Sequence, residues 1–237
     1  MSRTTTAAAR LAALRERMRA AAARAGRAPG EITLLGVAKR VASARVADAV
    51  RAGLDDVGES YVQEGVDRRA ELIAALAATG HRPPRWHFIG RLQRNKARRV
   101  AEHFDVVHTL ERQATGDALE RHAAALGRTL EVFLQVNTSG EAHKGGVAPE
   151  DAAALLARAS GWPHLRVAGL MTIPAAADDP ERVRPAFAAL RALRDRLRPA
   201  HPALAALSMG MSGDFEVAIE EGATIIRVGT ALFGPRE

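Results

Sequence analysis

The sequence predicts an α/β protein built as a single (β/α)8 barrel, and three observations support this. Short β-like runs alternate with helical stretches, and several runs lack apolar–polar alternation, as in parallel strands that are buried on both faces. The 237 residues approach the length of about 250 that is typical of such barrels. No linker rich in Pro, Gly or Ser divides the chain, although an open doubly wound sheet remains an alternative. The predicted strands are 32–38, 56–58, 86–90, 105–109, 130–137, 167–172, 204–209 and 224–228.

Residues 1–30 are predicted to form an extra N-terminal helix that packs on a barrel formed by residues 31–237. Leu11, Leu14 and Met18 recur at three- and four-residue spacing, which is the apolar stripe of an amphipathic helix, and a Pro-Gly pair then ends it. The segment is also rich in Ala and Arg and poor in acids, as transit peptides are. We expect a helix that packs on the barrel rather than a transit peptide, because the apolar spacing is regular.

The helical stretches of the barrel carry ordinary start and stop signals. A glycine directly follows four of the five stretches, and Pro180 stands at the first position of the remaining one. These predicted helices are 43–52, 111–126, 149–160, 180–198 and 214–221.

The composition excludes several classes of site. There are no cysteines, so disulfides, thiolate catalysis and Cys-based metal sites are ruled out. The net charge is +7, but 31 of the 34 basic residues are Arg, and such an Arg- and Ala-rich composition is typical of a GC-rich genome. With 4% aromatic residues and no recognition motif, the charge is weak support for nucleic-acid binding, and we expect no specific nucleic-acid partner. The sequence contains no apolar run of roughly 18 residues, so it predicts no membrane-spanning helix. We expect a cytoplasmic protein.

Lysine is rare, so each of the three lysines raises the question of why Arg does not serve there. Lys39 directly follows the first predicted strand, where a lysine would project into the barrel mouth. Partial burial there would favour the neutral amine, which can attack an aldehyde, whereas Arg cannot form a Schiff base. A lysine that simply extends to solvent is the alternative.

The loops after the seventh and eighth predicted strands offer a phosphate site. Phosphate sites in such barrels often lie in these two loops, at the N-terminus of a short extra helix. Here the first loop contains Ser212 and two glycines, and the second contains Thr230 after a glycine. Ordinary helix capping by Ser212 and Thr230 is the alternative. A phosphate site in the same mouth as Lys39 predicts a phosphorylated aldehyde, and pyridoxal 5'-phosphate meets that requirement.

The chain resembles the pyridoxal-phosphate homeostasis protein family along nearly its whole length. The segments that carry the resemblance are 34–39, 58–64, 86–90, 92–96, 135–138, 169–174 and 207–234. The resemblance implies a barrel similar to the N-terminal domain of bacterial alanine racemase, with pyridoxal phosphate covalently bound as a Schiff base on Lys39. It also implies that Arg227 faces the pyridine nitrogen. The implied phosphate region contains Ser208, Gly210, Ser212, Gly229 and Thr230.

Some positions depart from the family pattern. Ser60 stands where the family often has Asn near the cofactor ring, so a direct contact from Ser60 is an open question. Ala38 and Arg40 replace the Ser and Thr that often flank the lysine. Arg91 and Arg94 make the loop after the third strand more basic than in many relatives.

The resemblance implies a non-catalytic carrier that holds pyridoxal phosphate and delivers or buffers it, with apo pyridoxal-phosphate enzymes as recipients and a monomeric or weakly dimeric state. A weak amino-acid racemase is the alternative. The racemase takes a second acid/base from a β domain, and that domain is not expected in this chain. Tyr61 is expected to pack at the rim rather than act as that base. His87 is expected to be a hydrogen-bonded structural residue rather than a general base, and Lys144 an exposed loop cation on the functional rim.

Overall fold

The computed structural model describes residues 6–141 and 144–234 of the chain. Within them, eight strands are paired in chain order, each parallel to its neighbour, and β8 closes on β1. The prediction of a (β/α)8 barrel is confirmed, and closure excludes the open sheet. The strands are β1 (Thr33–Val37), β2 (Asp56–Glu59), β3 (Arg85–Phe88), β4 (Val106–Leu110), β5 (Leu130–Gln135), β6 (Leu165–Met171), β7 (Ala206–Ser208) and β8 (Ile225–Val228).

Helices surround the barrel, and two of them were not predicted from the sequence. These are α3 and α4, whose Arg- and Glu-rich segments lack an obvious apolar stripe. The predicted start at Pro180 was wrong for the α-helix, because residues Pro180–Val183 form a 3₁₀ turn and α7 begins after it. The α-helices of the described residues are α1 (Ala7–Arg24), α2 (Ser43–Arg51), α3 (Val62–Ala77), α4 (Ala97–His103), α5 (Gln113–Ala125), α6 (Ala152–Arg158), α7 (Arg184–Leu197), α8 (Phe215–Glu220) and α9 (Thr230–Phe233).

Helix α1 packs across the outside of the barrel against α2, α8 and α9. The Thr6 hydroxyl accepts a hydrogen bond from the amide of Ala9 and so caps the first turn. Leu11, Leu14 and Met18 are buried, as their spacing indicates. None of the helices in the described part of the chain is both long and apolar enough to cross a membrane.

The apolar core has two parts, because the side chains of each strand alternate between the barrel interior and the helical layer. The larger part lies between the strands and the helices and includes Trp86, Phe88 and Phe104. The smaller part fills the interior of the barrel, where Leu35 and Phe133 are among its members. The interior is therefore packed, and barrels of this kind bind their ligands at the mouth formed by the carboxyl ends of the strands.

Candidate functional site

Lys39 lies in a tight turn at the end of β1. The amide of Val41 donates to the carbonyl of Ala38 at 2.9 Å, which places Lys39 and Arg40 at the centre of the turn. Arg40 has a φ of 58°, a left-handed conformation that non-glycine residues rarely adopt and that is often found at functional sites. The Lys39 side chain is half-buried, and its ammonium has no hydrogen-bond or ion-pair partner among the described residues.

A buried ion pair holds this turn from outside the barrel. Arg68 on α3 donates from Nε to Glu59 at the end of β2, at 2.5 Å, and both side chains are buried. The same guanidinium donates to the carbonyl of Val41 and, at 3.2 Å, to the hydroxyl of Ser43. Burial raises the pKa of the Glu59 carboxyl, and the charge of Arg68 opposes that rise. The pair therefore ties the segment after Lys39 to β2 and α3.

Ser60 lies beside Lys39 at the end of the neighbouring strand. Val37 is paired with Gly58, and the Ala38 amide donates to the Gly58 carbonyl at 2.9 Å. Two residues further along each strand, the same register places Lys39 next to Ser60. The Ser60 hydroxyl has no hydrogen bond within the described ranges. A Cβ at Gly90 would lie 1.8 Å from the Ser60 carbonyl oxygen, so glycine is required there to let the two loops meet.

Arg227 projects from β8 into the barrel, just beneath the mouth. It is 4% exposed, and it donates to Ser208 Oγ and to the carbonyl of Thr172, each at 2.8 Å. None of the carboxylates in the described residues forms an ion pair with it. Burial lowers the pKa of Arg227 to about 10, so its guanidinium is still positively charged at neutral pH.

The loop after β7 meets the start of α9. Ser212 Oγ accepts from the amides of Gly229 and Ala231, at 3.3 and 3.4 Å. The amides of Ser212, Gly213 and Thr230 have no acceptor in the described part of the chain. The structure therefore gathers polar donors from both loops at one place. Ser212 does not cap the helix that follows it, because the N-cap residue of α8 is Asp214.

Gly210 gives this loop its path. Its φ is 94°, and a Cβ there would lie 2.6 Å from Ala218 Cβ and 3.1 Å from the Cα of Phe215. The Gly210 carbonyl accepts from the amide of Arg227 at 2.9 Å, which joins the loop to β8. Glycine at this position lets the loop pack closely on α8.

Ser208 is separated from the other residues of the expected phosphate region. It is fully buried, and its hydroxyl lies between Arg227 and His108, 2.8 Å from each. Its side chain is thus already bonded within the barrel, beneath the loops that contain Ser212 and Thr230.

Three further residues were given expected roles from the sequence. His87 is buried and hydrogen-bonded through both ring nitrogens, while Tyr61 is 45% exposed at the rim. Lys144 was wrongly expected to be an exposed cation: its ammonium donates to the carbonyl of Pro174 at 3.0 Å and pairs with Glu141. Lys144 thus contacts the segment that follows β6, and periodicity does not predict that contact.

Sequence reasoning did not identify His108, Thr172 or Arg68. His108 faces the barrel interior, and a polar residue at an inward position of a predicted strand was the available signal for it. The described residues contain no group of three or more His, Asp or Glu side chains placed to hold a metal ion.

Comparison with known proteins identifies the class of barrel and then the family. Residues 9–237 match the N-terminal domain of alanine racemase. The pyridoxal phosphate homeostasis protein of Pseudomonas aeruginosa is 46% identical over 228 residues, covering 96% of this chain and 94% of that protein. The corresponding protein of Escherichia coli K12 is 41% identical over 227 residues, covering 96% and 95%. The crystal structure of PipY from Synechococcus elongatus with PLP bound is 36% identical, with a TM-score of 0.81, covering 97% of this chain and all of that one.

The chain therefore belongs to the pyridoxal phosphate homeostasis protein family, as its motifs indicate. The domain match and the closed barrel agree that its fold is that of the alanine racemase N-terminal domain.

Proposed function

We propose that this protein binds pyridoxal phosphate at the barrel mouth, as a Schiff base on Lys39, and holds it for delivery or buffering without substantial catalysis. Two curated relatives are named for pyridoxal phosphate homeostasis, and PipY carries the cofactor in its crystal structure. We further propose a cytoplasmic monomer or weak dimer, whose recipients are apo pyridoxal-phosphate enzymes.

The observation that carries the proposal is the Lys39 ammonium at the mouth, which has no hydrogen-bond or ion-pair partner among the described residues. A buried or half-buried polar group normally has a partner, and a lone cation between two strand ends therefore indicates a ligand. When bound, pyridoxal phosphate supplies an aldehyde, a phosphate and a pyridine nitrogen. Lys39 offers a primary amine for the aldehyde, and Ser60 on the adjacent strand offers a hydroxyl near the ring.

The donors of the loops after β7 and β8, next to the end of β1, fit the remaining two groups. Within residues 6–141 and 144–234, the amides of Ser212, Gly213 and Thr230 have no acceptor. Such amides suit a phosphate, because backbone N–H groups bind anions without a mobile charge. The amides of Gly229 and Ala231 are bound only by long hydrogen bonds to the Ser212 hydroxyl. We assign the phosphate to these loops, with Gly210 setting the loop path. Ser208 supports Arg227 from beneath.

Arg227 is consistent with a carrier, although an arginine at the pyridine nitrogen does not by itself distinguish a carrier from a racemase. A charged guanidinium only donates hydrogen bonds, so at the pyridine nitrogen it favours the unprotonated ring, which is a weaker electron sink. Arg227 remains charged at neutral pH even though burial lowers its pKa to about 10.

The racemase alternative requires a second acid/base on the face opposite Lys39. Tyr61 is the single tyrosine in the sequence, and its side chain is exposed and makes no hydrogen bond within the described residues. A catalytic tyrosine is normally held and activated by a neighbouring group. This arrangement therefore favours the carrier.

The test is the absorbance spectrum of the purified protein with pyridoxal phosphate, before and after borohydride, for wild type, Lys39→Ala and the control Lys96→Ala. The Lys39 amine would condense with the aldehyde with loss of one water, which forms a C=N bond. Hydride from borohydride then reduces that bond to a stable secondary amine. We expect trapped cofactor in wild type and Lys96→Ala and none in Lys39→Ala. Unchanged trapping in Lys39→Ala would refute the assignment.

A panel of amino acids separates the carrier from the racemase. We expect no sustained inversion of either enantiomer by the loaded protein. Turnover that is abolished by Tyr61→Phe would establish the enzyme and overturn the carrier.

A further inference from the structure

A continuous hydrogen-bonded chain of side chains crosses the barrel interior. It runs from Arg227 on β8 to Ser208 on β7, then to His108 on β4, His87 on β3 and Asp56 on β2. The successive distances are 2.8 Å from Arg227 Nη1 to Ser208 Oγ, 2.8 Å to His108 Nδ1, 2.9 Å from His108 Nε2 to His87 Nδ1, and 2.8 Å from His87 Nε2 to Asp56 Oδ1. All members except Asp56 are buried, at 4% exposure or less.

The two ends of the chain determine the direction of every hydrogen bond. A guanidinium has only donors, so Ser208 Oγ accepts from Arg227. A carboxylate has only acceptors, so His87 Nε2 carries the hydrogen that is donated to Asp56. A neutral His87 then accepts at Nδ1 from His108, whose own Nδ1 accepts from the Ser208 hydroxyl. In this arrangement every hydrogen has an acceptor.

A charged histidine would break this arrangement. If His87 donated from both nitrogens, His108 would have to accept at Nε2 and donate from Nδ1 to Ser208. The Ser208 oxygen would then receive two donors, and its own hydrogen would have no acceptor in the chain. Burial holds the pKa of His108 well below its usual range, which agrees with a neutral ring, and that ring stacks on Phe133 at 4.7 Å.

The chain connects the mouth with the opposite end of the barrel. Asp56 is the first residue of β2, and it lines a cleft of about 370 Å³ between α1 and the beginning of β1 and β2. The cleft wall also contains the cations Arg15 and Arg19. Asp56 therefore contacts solvent at the end of the barrel that is remote from Lys39.

We propose that Asp56 and His87 are positioning residues for Arg227, which act through the tautomer of His108 and the hydroxyl orientation of Ser208. The carboxylate selects the Nε2–H form of both histidines, and this leaves the Ser208 oxygen free to accept from the guanidinium. Arg227 is thereby held with a defined orientation beneath the mouth. This proposal deepens the proposed function. Among the tests that follow, only the measurement of pyridoxal phosphate binding rests on that function.

Nitrogen-15 NMR of the histidine rings in the cofactor-free protein tests the chain directly. At neutral pH we expect His87 and His108 both neutral and both in the Nε2–H form. An imidazolium at either position, or a dominant Nδ1–H form, overturns the proposal. This readout does not depend on pyridoxal phosphate, so it remains decisive if the proposed function fails.

Asp56→Asn tests whether the residue at the remote end of the chain sets the direction of its hydrogen bonds, because an amide can donate as well as accept. We expect a second tautomer of His108, although Asp56 does not contact it. We also expect about tenfold weaker binding of pyridoxal phosphate, the equivalent of one hydrogen bond of typical net strength. An unchanged His108 spectrum overturns the proposal.

Glu120→Gln is the matched control, because Glu120 bonds His164 Nδ1 at 2.8 Å away from the barrel interior. It should alter His164 alone and leave both His108 and cofactor binding unchanged. If Asp56→Asn does not fold, Ser208→Ala provides the second test: it removes the donor to His108 Nδ1 but keeps Asp56 and His87, so His108 should remain in the Nε2–H form. A mixture of tautomers there would show that Ser208 rather than the carboxylate fixes the ring, and it overturns the proposal.

Discussion

Polar groups at the barrel mouth differ from those directly beneath it in whether they have hydrogen-bond partners. Beneath the mouth, nearly every polar side chain has a partner: His87 and His108 use both ring nitrogens, and Arg68 bonds a carboxylate, a carbonyl and a hydroxyl. At the mouth, the Lys39 ammonium, the Ser60 hydroxyl and several loop amides have none within the described residues.

The difference separates residues that maintain the site from residues that bind at it. Buried polar groups are stabilising only when they are satisfied, so the paired layer gives the mouth a defined shape. The unpaired donors are tolerated because they are partly hydrated and available to a ligand. Mutations beneath the mouth should therefore reduce stability, whereas mutations at the mouth should reduce binding alone.

The largest effect is expected for Arg68→Met, which leaves the buried Glu59 carboxylate without its partner. Such a loss typically lowers the free energy of unfolding by about 3–5 kcal/mol. Urea unfolding measures it. The double variant Glu59→Gln/Arg68→Met should recover much of the loss, because neither position then buries a charge.

Arg98→Met is the matched control for that variant. Arg98 pairs with Glu102 on the exposed face of α4, and we expect no measurable change on its removal. Equal losses in the two single variants would contradict the distinction between the paired layer and the surface.

A smaller effect is expected from pH, through His108. Burial holds its pKa well below the value of 6.5 that applies in the unfolded chain, so the unfolded state binds more protons as the pH falls below 6.5. The stability contributed by neutral His108 is thus complete above that pH and is lost as the pH falls, by about 1.4 kcal/mol per unit.

Urea unfolding between about pH 7.5 and about pH 5 measures this slope, in the range where histidines titrate. His108→Asn should have a shallower slope than wild type, whereas the control His81→Gln, at an exposed position, should keep it. Parallel slopes for wild type and His108→Asn would show that another group is responsible.

The smallest effect on stability is expected for Lys39→Met. Its ammonium has no partner to lose in the described part of the chain, so the free energy of unfolding should stay within about 0.5 kcal/mol of wild type, while cofactor trapping disappears. Lys144→Met is the comparison, because it loses the bond to the Pro174 carbonyl and should cost about 1 kcal/mol. A large loss for Lys39→Met would mean that Lys39 belongs to the paired layer.

Much of the fold could be predicted from the sequence because its signals are local. Every strand was located within a few residues, since apolar runs and glycine stops depend on neighbouring residues only. Lys39 was singled out because strand ends face the mouth of a parallel barrel, whereas Arg227 was singled out through the family resemblance. Helices α3 and α4 were missed because their charged faces obscure the apolar periodicity.

The sequence by itself determined the alternation of strands and helices, the rarity of lysine and the family motifs, all of which are properties of short segments. Only the tertiary structure decided which groups are paired. Ser208 and His108 are separated by 100 residues, and Arg68 and Glu59 belong to different elements. These contacts exist because barrel closure brings the inward positions of distant strands together, and residue spacing carries no information about that distance.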